Sequence, residues 1–273
     1  MAPVIIVLIV VAAVAIILPP VILAPGHVGK KGDAFRGRNI AHRGLFTPDQ
    51  SIPENSLPAF ARAADAGYGV ELDVQLSRDG RVVVFHDDTL ARVCGDERRV
   101  DEVDFDELET LRLCNTDERI PLFSEVLDVI GGRVPIIVEL KNGHRNAELC
   151  EKTLEYLKNY NGETCIESFN PMIVAWFSRH APKIFRGQLA QPPRFYAEAG
   201  MNKATGFILG NLLFNVIARP HFISYRIGKK PAAVRFCEAL GAVKVAWTAH
   251  DDSAEADFDV VIFEHYEPRQ KYK

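Results

Sequence analysis

The sequence Val70-Glu71-Leu72-Asp73-Val74 alternates apolar and acidic residues without a break. A period of two is typical of a β-strand, in which successive side chains point to opposite faces. Glu71 and Asp73 are therefore predicted to lie on one face, with the two valines and the leucine on the other. An exposed strand with surface charges does not explain why acids lie among such residues. We predict a largely buried strand whose two carboxylates share one site.

Strand-like runs and helical patterns alternate along the rest of the chain. The strand-like runs occupy residues 39–42, 70–75, 82–86, 135–139, 164–169, 184–189, 222–225, 242–247 and 260–263. The helical patterns include residues 56–66, 104–111, 124–130, 147–160, 171–180 and 231–240. This alternation favours a (β/α)8 barrel over an open sheet. Because such a barrel has eight strands, one of the nine runs is expected to lie outside it or not to be a strand.

A third acid stands at the end of another run. Glu139 closes the apolar run 135–138 and is placed to join Glu71 and Asp73. Like charges on one buried face repel each other strongly unless a cation offsets them. Three carboxylates without a neighbouring His or Cys ligand favour Mg²⁺ or Ca²⁺ over zinc. The sequence therefore predicts a divalent metal held by oxygen ligands.

Two histidines, His42 and His86, also end strand-like runs. A single histidine in such a position more often has a structural or capping role. Two histidines from different strands, converging at a barrel mouth beside a metal, form a natural acid and base pair near neutral pH. Arg43 and Lys141 would then hold an anionic substrate. Without a barrel, each of these cations would be a solvated surface residue.

The N-terminal part, residues 1–26, is interpreted as a membrane anchor. Residues 4–24 carry no charge, and about 20 apolar residues suffice to cross a bilayer. The alternative is a cleaved secretory signal, but no basic residue precedes the stretch, and Pro19 and Pro20 interrupt it near its end. Basic residues follow it in the segment 27–38, interpreted as a linker. The positive-inside rule therefore predicts a single-pass membrane protein with a cytoplasmic catalytic domain.

Composition narrows the class of partner. A net charge of -4 and two tryptophans provide neither the basic surface nor the stacking platform expected of a nucleic-acid-binding protein. The five cysteines are odd in number and lack metal-type spacing. This pattern favours reduced thiols over a disulfide framework. The expected partners are a small-molecule substrate and the membrane, and not nucleic acid.

An ordered set of short motifs resembles the glycerophosphodiester phosphodiesterase family. The motifs are His42-Arg43-Gly44, Pro53-Glu54-Asn55-Ser56, Glu71-Leu72-Asp73-Val74, His86-Asp87, Glu139-Leu140-Lys141, Ser168-Phe169 and Trp247-Thr248. The resemblance covers roughly residues 39–273 and implies a TIM (β/α)8 barrel over that range. It also implies metal-dependent hydrolysis of a glycerophosphodiester to an alcohol and sn-glycerol 3-phosphate.

The resemblance implies a role for each matching residue. By position, His42 and His86 would be the acid and base, and the metal ligands would be Glu71, Asp73 and Glu139. Arg43 and Lys141 would bind the phosphate. Glu54 and Asn55 would order these residues without touching the substrate, and Trp247 would line the substrate pocket. Either water or the glycerol 2-hydroxyl can be the nucleophile, and the motifs do not distinguish the two.

The chain departs from the family pattern at its C-terminal end. Where relatives usually have a full helix and an Ile-Thr-Asp-like strand end, residues 249–259 are short and acidic and the last run is followed by Glu264.

The apolar stretch 204–218 is expected to form one helix with Asn211 and Asn215 in a narrow polar stripe, either buried against the barrel or dipping into a bilayer. Two alternative functions stay open: a lysophospholipase D-like or cyclising phosphodiesterase, and a catalytically inactive membrane-tethered binding protein.

Overall fold

A closed parallel barrel forms the body of the protein. The structure, a computed structural model, describes residues 2–273. Its strands are β1 (Arg38–Ala41), β2 (Gly69–Leu76), β3 (Val82–Val84), β4 (Ile136–Leu140), β5 (Thr164–Ser168), β6 (Phe185–Ala190), β7 (Phe222–Arg226), β8 (Val243–Ala249) and β9 (Val260–Phe263). All except β3 run parallel, and β1 closes the barrel by pairing with both β2 and β9. The prediction of a (β/α)8 barrel is confirmed.

The expected extra run is β3. It pairs antiparallel with β2, with Val83 opposite Gln75, and lies outside the closed ring. The residue that follows it stays close to β2, because the Phe85 N–H donates to the carbonyl oxygen of Asp73 (3.0 Å). A strand outside the barrel thus places the next residue, His86, beside a barrel strand.

Helices cover the outside of the barrel. They are α1 (Ala2–Leu23), α2 (Leu57–Asp65), α3 (Ala91–Cys94), α4 (Phe105–Leu108), α5 (Phe123–Ile130), α6 (Asn146–Asn159), α7 (Pro171–His180), α8 (Pro193–Glu198), α9 (Lys203–Gly210), α10 (Asn215–Ala218) and α11 (Ala232–Ala239). The bounds of α2 follow from its sequence: the Ser56 hydroxyl accepts from the Ala59 N–H (3.4 Å), and Gly67 follows its end with a φ of 79°. Serine as N-cap and a left-handed glycine after the last turn are common helix boundaries.

The stretch 204–218 does not form one helix, so this prediction is wrong. α9 and α10 are separated by a turn in which Leu212 adopts a φ of 58°. Asn211 lies at the end of α9, whereas Asn215 is buried and its side chain donates to the carbonyl oxygen of Leu23 (3.5 Å). The predicted polar stripe does not form because the turn separates the two asparagines.

The segment 27–38, interpreted as a linker, packs across the N-terminal end of the barrel. Phe35 is 1% exposed and lies in an apolar cluster with barrel residues. Its ring centroid lies 5.7 Å from that of Phe185, the first residue of β6. The N–H of Gly37 donates to the carbonyl oxygen of Asp259 (2.7 Å). These contacts close the end of the barrel opposite to the C-terminal ends of its strands.

The N-terminal helix α1 packs against α10 and α11, and Leu23 in its last turn is buried. Met1 and the side chains of residues 2, 3, 8–12 and 15, which belong to the predicted anchor, lie outside the described part of the chain. Across the residues that are described, no helix combines the length and the apolar character needed to cross a membrane.

Candidate active site

Three buried carboxylates meet on β2 and β4. Asp73 and Glu139 are direct partners across these two strands, and Glu71 precedes Asp73 by two residues and so shares its face. One oxygen atom from each of the three side chains lies within 4.8 Å of the other two. Each of the three residues is at most 7% exposed. The structure therefore brings together the three residues that were predicted as metal ligands.

Burial makes negative charge costly at this cluster. Burial and the neighbouring Asp73 raise the pKa of Glu71 well above its usual range, and burial also raises the pKa of Glu139. Asp73 differs: although burial opposes its ionisation, the Lys141 ammonium and other nearby cations hold its pKa low. A hard divalent cation would offset the repulsion among these oxygen donors. The donor set therefore fits Mg²⁺ or Ca²⁺.

Lys141 is a counter-ion built into the cluster. Its Nζ lies 3.2 Å from Asp73 Oδ1 and 2.9 Å from Glu139 Oε1. Although burial works against the charge, these two carboxylates raise the pKa of Lys141 above its usual value. The ammonium group is therefore charged and held between the two carboxylates.

A tight turn after β1 directs Arg43 toward the carboxylates. Arg43 and Gly44 have φ values of 55° and 80°, and a Cβ on Gly44 would lie 2.9 Å from Ala59. The Arg43 N–H donates to Glu71 (3.1 Å) and its guanidinium donates to Glu54 (2.7 Å). Although burial opposes the charge, the surrounding carboxylates raise the pKa of Arg43. Only a residue without a side chain fits after Arg43, so the turn depends on Gly44.

Glu54 and Asn55 contact the site from behind. Glu54 accepts hydrogen bonds from Arg43 and, at 2.7 and 3.0 Å, from Arg92. Asn55 has a φ of 55° and donates from Nδ2 to Asp73 Oδ2 (2.9 Å). Glu54 thus holds a cation of the site in place, and Asn55 orients a carboxylate.

His42 is oriented by a residue from the other end of the chain. Its Nδ1–H donates to Glu264 Oε2 (2.8 Å), and its Nε2 lies 3.9 Å from Glu71 Oε2. Burial lowers the pKa of His42, and the hydrogen bond to Glu264 acts in the opposite direction. Because Nδ1 is engaged by Glu264, Nε2 is the ring nitrogen that faces the carboxylate cluster.

His86 lies in the loop after β3. Its Nδ1–H donates to Asp87 Oδ1 (2.6 Å), and Arg92 in turn donates from Nε to Asp87 Oδ2 (2.6 Å). Gln75 holds the loop by donating to the carbonyl oxygens of Phe85 (2.8 Å) and Asp87 (2.9 Å). The second histidine, like the first, therefore has its Nδ1 engaged by a carboxylate.

Three charged residues of the site, two acids and one arginine, were not assigned a role from the sequence. Glu264 stands directly after the last strand-like run, and that position was the available signal. Arg92 has no local signal, because its contacts with Asp87 and with the distant Glu54 appear only in the folded protein. Glu167 lies opposite Glu139 across two strands and is 1% exposed, and burial raises its pKa well above its usual range. Its position within the predicted run 164–169 could have revealed an inward-facing acid.

The other side of the barrel mouth is aromatic and apolar. The rings of Trp247 and Phe169 meet edge to face with centroids 5.5 Å apart, and the indole N–H donates to the carbonyl oxygen of Ser224 (2.9 Å). A cavity of about 280 Å³ lies beside Phe169 and extends to Asn142, the residue after Lys141. Its walls include Met172, Tyr196, Met201, Leu209 and Phe214.

Buried cations beside a carboxylate cluster suit a substrate that is itself anionic, and two oriented imidazoles suit proton transfer to and from oxygen. On a (β/α)8 barrel this arrangement is suited, among other reactions, to the hydrolysis of a phosphoric diester. The model of the glycerophosphoryl diester phosphodiesterase family matches residues 42–264. The chain belongs to this family.

Individual relatives agree with this assignment. A glycerophosphodiester phosphodiesterase of Caldanaerobacter subterraneus is 36% identical in an alignment of length 222, and the match covers 77% of this chain and 84% of that protein. A human protein named as a lysophospholipase D is 31% identical in an alignment of length 147, and the match covers 49% of this chain and 45% of that protein. An Oleispira antarctica phosphodiesterase, solved in complex with the product sn-glycerol-3-phosphate, has a TM-score of 0.66 and 25% identity, covering 84% of this chain and 93% of that one.

Proposed function

We propose that the protein hydrolyses glycerophosphodiesters to an alcohol and sn-glycerol 3-phosphate with the help of a divalent cation. The observation that carries the proposal is the buried cluster of Glu71, Asp73 and Glu139, with oxygen atoms within 4.8 Å of one another. Arg43 and Lys141 lie in direct contact with this cluster. A phosphodiester is anionic, so a site that combines a metal with cationic side chains suits it. Family membership supports the substrate class.

Glu71, Asp73 and Glu139 would hold the cation, and their oxygen donors favour Mg²⁺ or Ca²⁺. When bound, a divalent cation stabilises negative charge on a phosphoryl oxygen. Arg43 and Lys141 bind the phosphate through charged N–H groups and stabilise the charge that develops on it in the transition state. These cations are already fixed by the neighbouring carboxylates, so little reorganisation accompanies substrate binding.

His42 and His86 exchange the protons of the reaction. Each has its Nδ1 engaged by a carboxylate, from Glu264 or Asp87, so each presents Nε2. One Nε2 accepts the proton of the nucleophile, and the other donates a proton to the oxygen of the leaving alcohol. Water and the 2-hydroxyl of glycerol both fit this scheme. In the second case a cyclic phosphate forms first, and water then opens it.

Metal-dependent release of glycerol 3-phosphate tests this proposal. The full-length protein is treated with a chelator and then supplied with Mg²⁺, Ca²⁺ or Mn²⁺, with glycerophosphocholine or glycerophosphoethanolamine as substrate. We expect turnover only with metal, and its loss in His42→Ala. His180→Ala, at the end of α7, is the matched control and should stay active. A folded, metal-binding protein that turns over neither substrate would refute the proposal and favour the binding-protein alternative.

A lysophospholipase D-like reaction is a second candidate, favoured by the cavity of about 280 Å³ beside Phe169. Its walls, including Met172 and Leu209, are suited to an acyl chain attached to the glycerol. The substrate would be lysophosphatidylcholine, and the product lysophosphatidic acid or its cyclic form. Mass spectrometry of the products separates the two candidates. Leu209→Trp should fill the cavity and lower turnover of lysophosphatidylcholine without lowering that of glycerophosphocholine.

We further propose that residues 1–26 attach the barrel to a membrane, with the barrel on the cytoplasmic side. α1 carries no charged residue, and Val4 and Ile16 are 62% and 72% exposed. Lys30 and Lys31 follow it, as the positive-inside rule expects. Carbonate extraction of membranes measures the attachment, and full release into the supernatant would contradict it. A C-terminal tag accessible from outside intact cells would contradict the cytoplasmic placement.

A further inference from the structure

Large apolar side chains are exposed on one side of the barrel. Outside α1, the described residues of this kind all lie between positions 172 and 240. Most of them lie on or at the ends of α9, α10 and α11, and we call these the apolar face: Phe207, Phe214, Val216, Ile217, Phe236 and Leu240. In the described part of the chain, residues 24–171 and 241–273 contribute none. A concentration of exposed apolar side chains marks a site of interaction.

The apolar face borders α1. α1 packs against both α10 and α11, and Leu23 in its last turn is buried in a cluster with residues of α11. Val216 on α10 and Phe236 on α11 are 41% and 38% exposed. The described side chains of α1 are themselves apolar and mostly exposed, such as Ile17 at 60%. Exposed apolar side chains are therefore carried by three helices that are in contact, α1 with α10 and α1 with α11.

The exposure of Phe207 follows from how α9 packs. A Cβ on Gly206 would lie 3.0 Å from the carbonyl oxygen of Pro193, and one on Gly210 would lie 2.8 Å from the Pro193 ring. These two glycines let one face of α9 pack closely on α8. Phe207 is turned away from that contact and is 57% exposed. The fold holds α9 tightly and still leaves a phenyl ring in water, so the ring is available to an external apolar partner.

The same part of the chain is strongly basic. Residues 182–240 contain nine Lys or Arg and two acids, Glu198 and Glu238, although the whole chain has a net charge of -4. Of the nine cations, Arg186 is buried and Lys230 pairs with Glu238. Lys203 at the start of α9 and Arg235 on α11 are exposed. Basic residues beside exposed aromatic and aliphatic side chains are the combination that binds anionic bilayer surfaces. A partner recognised by apolar contact alone would not account for the charge.

We propose that the apolar face and its basic neighbours rest on the surface of a bilayer that contains anionic phospholipids. The apolar side chains enter the boundary between headgroups and acyl chains, and Lys203 and Arg235 contact lipid phosphates. This contact goes beyond the proposed catalytic function and does not require it. It adds to any attachment through α1 and holds the barrel in one orientation. The cavity lined by Phe214 then lies next to the lipid surface.

Hydrogen exchange of the full-length protein on vesicles tests the proposal. Vesicles of phosphatidylcholine alone are compared with vesicles that also contain phosphatidylglycerol. We expect peptides of α9, α10 and α11 to exchange more slowly on the anionic vesicles, and peptides of α6 to be unchanged. Equal exchange of α9–α11 on the two vesicle types would overturn the proposal. Protection that instead grows with protein concentration in the absence of lipid would also overturn it, and would identify a second copy of the chain as the partner.

Charge variants measure the electrostatic part. Lys203→Gln with Arg235→Gln should reduce the protection of α9–α11 about fivefold for each charge removed, which corresponds to about 1 kcal/mol per basic residue near an anionic surface. Lys158→Gln with Arg112→Gln removes two exposed charges from the other half of the barrel and is the matched control. Equal effects of the two pairs would overturn the assignment of the face.

Apolar variants measure the insertion. Phe207→Ser with Phe236→Ser should abolish the protection, whereas Phe207→Leu with Phe236→Leu should keep most of it, because leucine also enters the lipid boundary. Glycerophosphocholine turnover is measured in parallel and should be unchanged, since neither residue is part of the catalytic site. If the wild type lacks this turnover, the proposed function fails while the test of the face is unaffected.

Discussion

In the half of the barrel from β1 to β4, charged side chains fill the mouth, whereas in the half from β5 to β9 aromatic and apolar side chains do. Glu71, Asp73 and the buried Lys141 belong to the first half. Phe169 and Trp247 belong to the second, which also carries the apolar face on its outside. Two acids are exceptions: Glu167 lies on β5 opposite Glu139, and Glu264 follows β9 and reaches back to His42 in the first half.

The side chains of the two halves differ in how strictly their positions are fixed. Charges in a poorly hydrated site must be held by fixed partners, and Arg43, Lys141 and Asp73 each contact at least two groups of the site. Apolar walls have no such requirement, because dispersion contacts tolerate changes of shape. Substitutions in the first half are therefore expected to act on the chemical step, and those in the second half on substrate choice and on contact with the surroundings.

The largest effect is expected from removing a histidine of the first half. His86→Ala should lower kcat/KM for glycerophosphocholine by about 10²–10⁴-fold, because one proton transfer loses its donor or acceptor. Trp247→Phe, in the second half, should change KM more than kcat. Steady-state kinetics with saturating metal measures both. Equal losses of kcat in the two variants would break the comparison between the halves.

Removing the buried ammonium should have the next largest effect. Lys141→Met leaves Asp73 and Glu139 without their counter-ion and removes a donor to the phosphate, so kcat should fall by roughly 10²–10³-fold. Arg226→Met is the matched control, because Arg226 is a cation at the end of β7 that lies over the Trp247 ring. A comparable fall of kcat in Arg226→Met would show that the second half also takes part in charge stabilisation.

Glu264→Gln tests the acid that follows β9 and contacts His42 of the first half. It keeps the shape of the side chain but removes its charge, and kcat should fall by roughly tenfold, the smaller end of effects for residues that orient a reactive group. Because the hydrogen bond to Glu264 raises the pKa of His42, its loss should lower that pKa further and shift one limb of the pH–rate profile to lower pH. An unshifted profile would mean that Glu264 only packs against His42.

The smallest effect on activity is expected at His221, a buried residue of the second half. Burial and nearby cations lower its pKa to about 3, whereas an unfolded histidine titrates near about 6.5. Below about pH 6.5 the unfolded chain therefore binds a proton that the folded protein does not. As the pH decreases, the free energy of unfolding falls by up to about 1.4 kcal/mol per pH unit. His221→Gln should flatten this fall and leave turnover unchanged.

Urea unfolding at pH 7.5 and pH 5 measures the effect. Gln keeps an acceptor for the Arg186 N–H, which donates to His221 Nδ1 (3.2 Å), so the variant should fold. An identical loss of stability in wild type and variant between the two pH values would show that other groups cause the acid sensitivity.

Most of the fold and much of the site could be predicted from local patterns. The alternation around Glu71 and Asp73 predicted an inward-facing pair, and parallel strands bring such residues to one end of a barrel. The family motifs led to the correct family, and the expected extra run proved to be β3. The roles assigned to the individual residues stay predictions that the kinetic variants will test.

Other features could not be predicted, because they depend on packing between distant segments. The apolar pattern of 204–218 is compatible with one helix, but the chain turns at Leu212 so that α9 packs on α8 and α10 packs on α1. The charges of 27–38 suggest a linker, yet Phe35 within it closes the base of the barrel. The first segment is indeed apolar and the second indeed basic. In both cases the elements against which the segment packs determine its conformation.

The sequence by itself determined the barrel, the succession of strands and helices along the chain and the identity of the charged residues, because strand period, helix caps and short motifs are local properties. The tertiary structure decided which of these residues meet. His42 and Glu264 are 222 positions apart, and Arg92 reaches Glu54 from α3, 38 positions away. Such contacts depend on barrel closure, strand register and loop paths, and none of these is encoded by the pattern of a single segment.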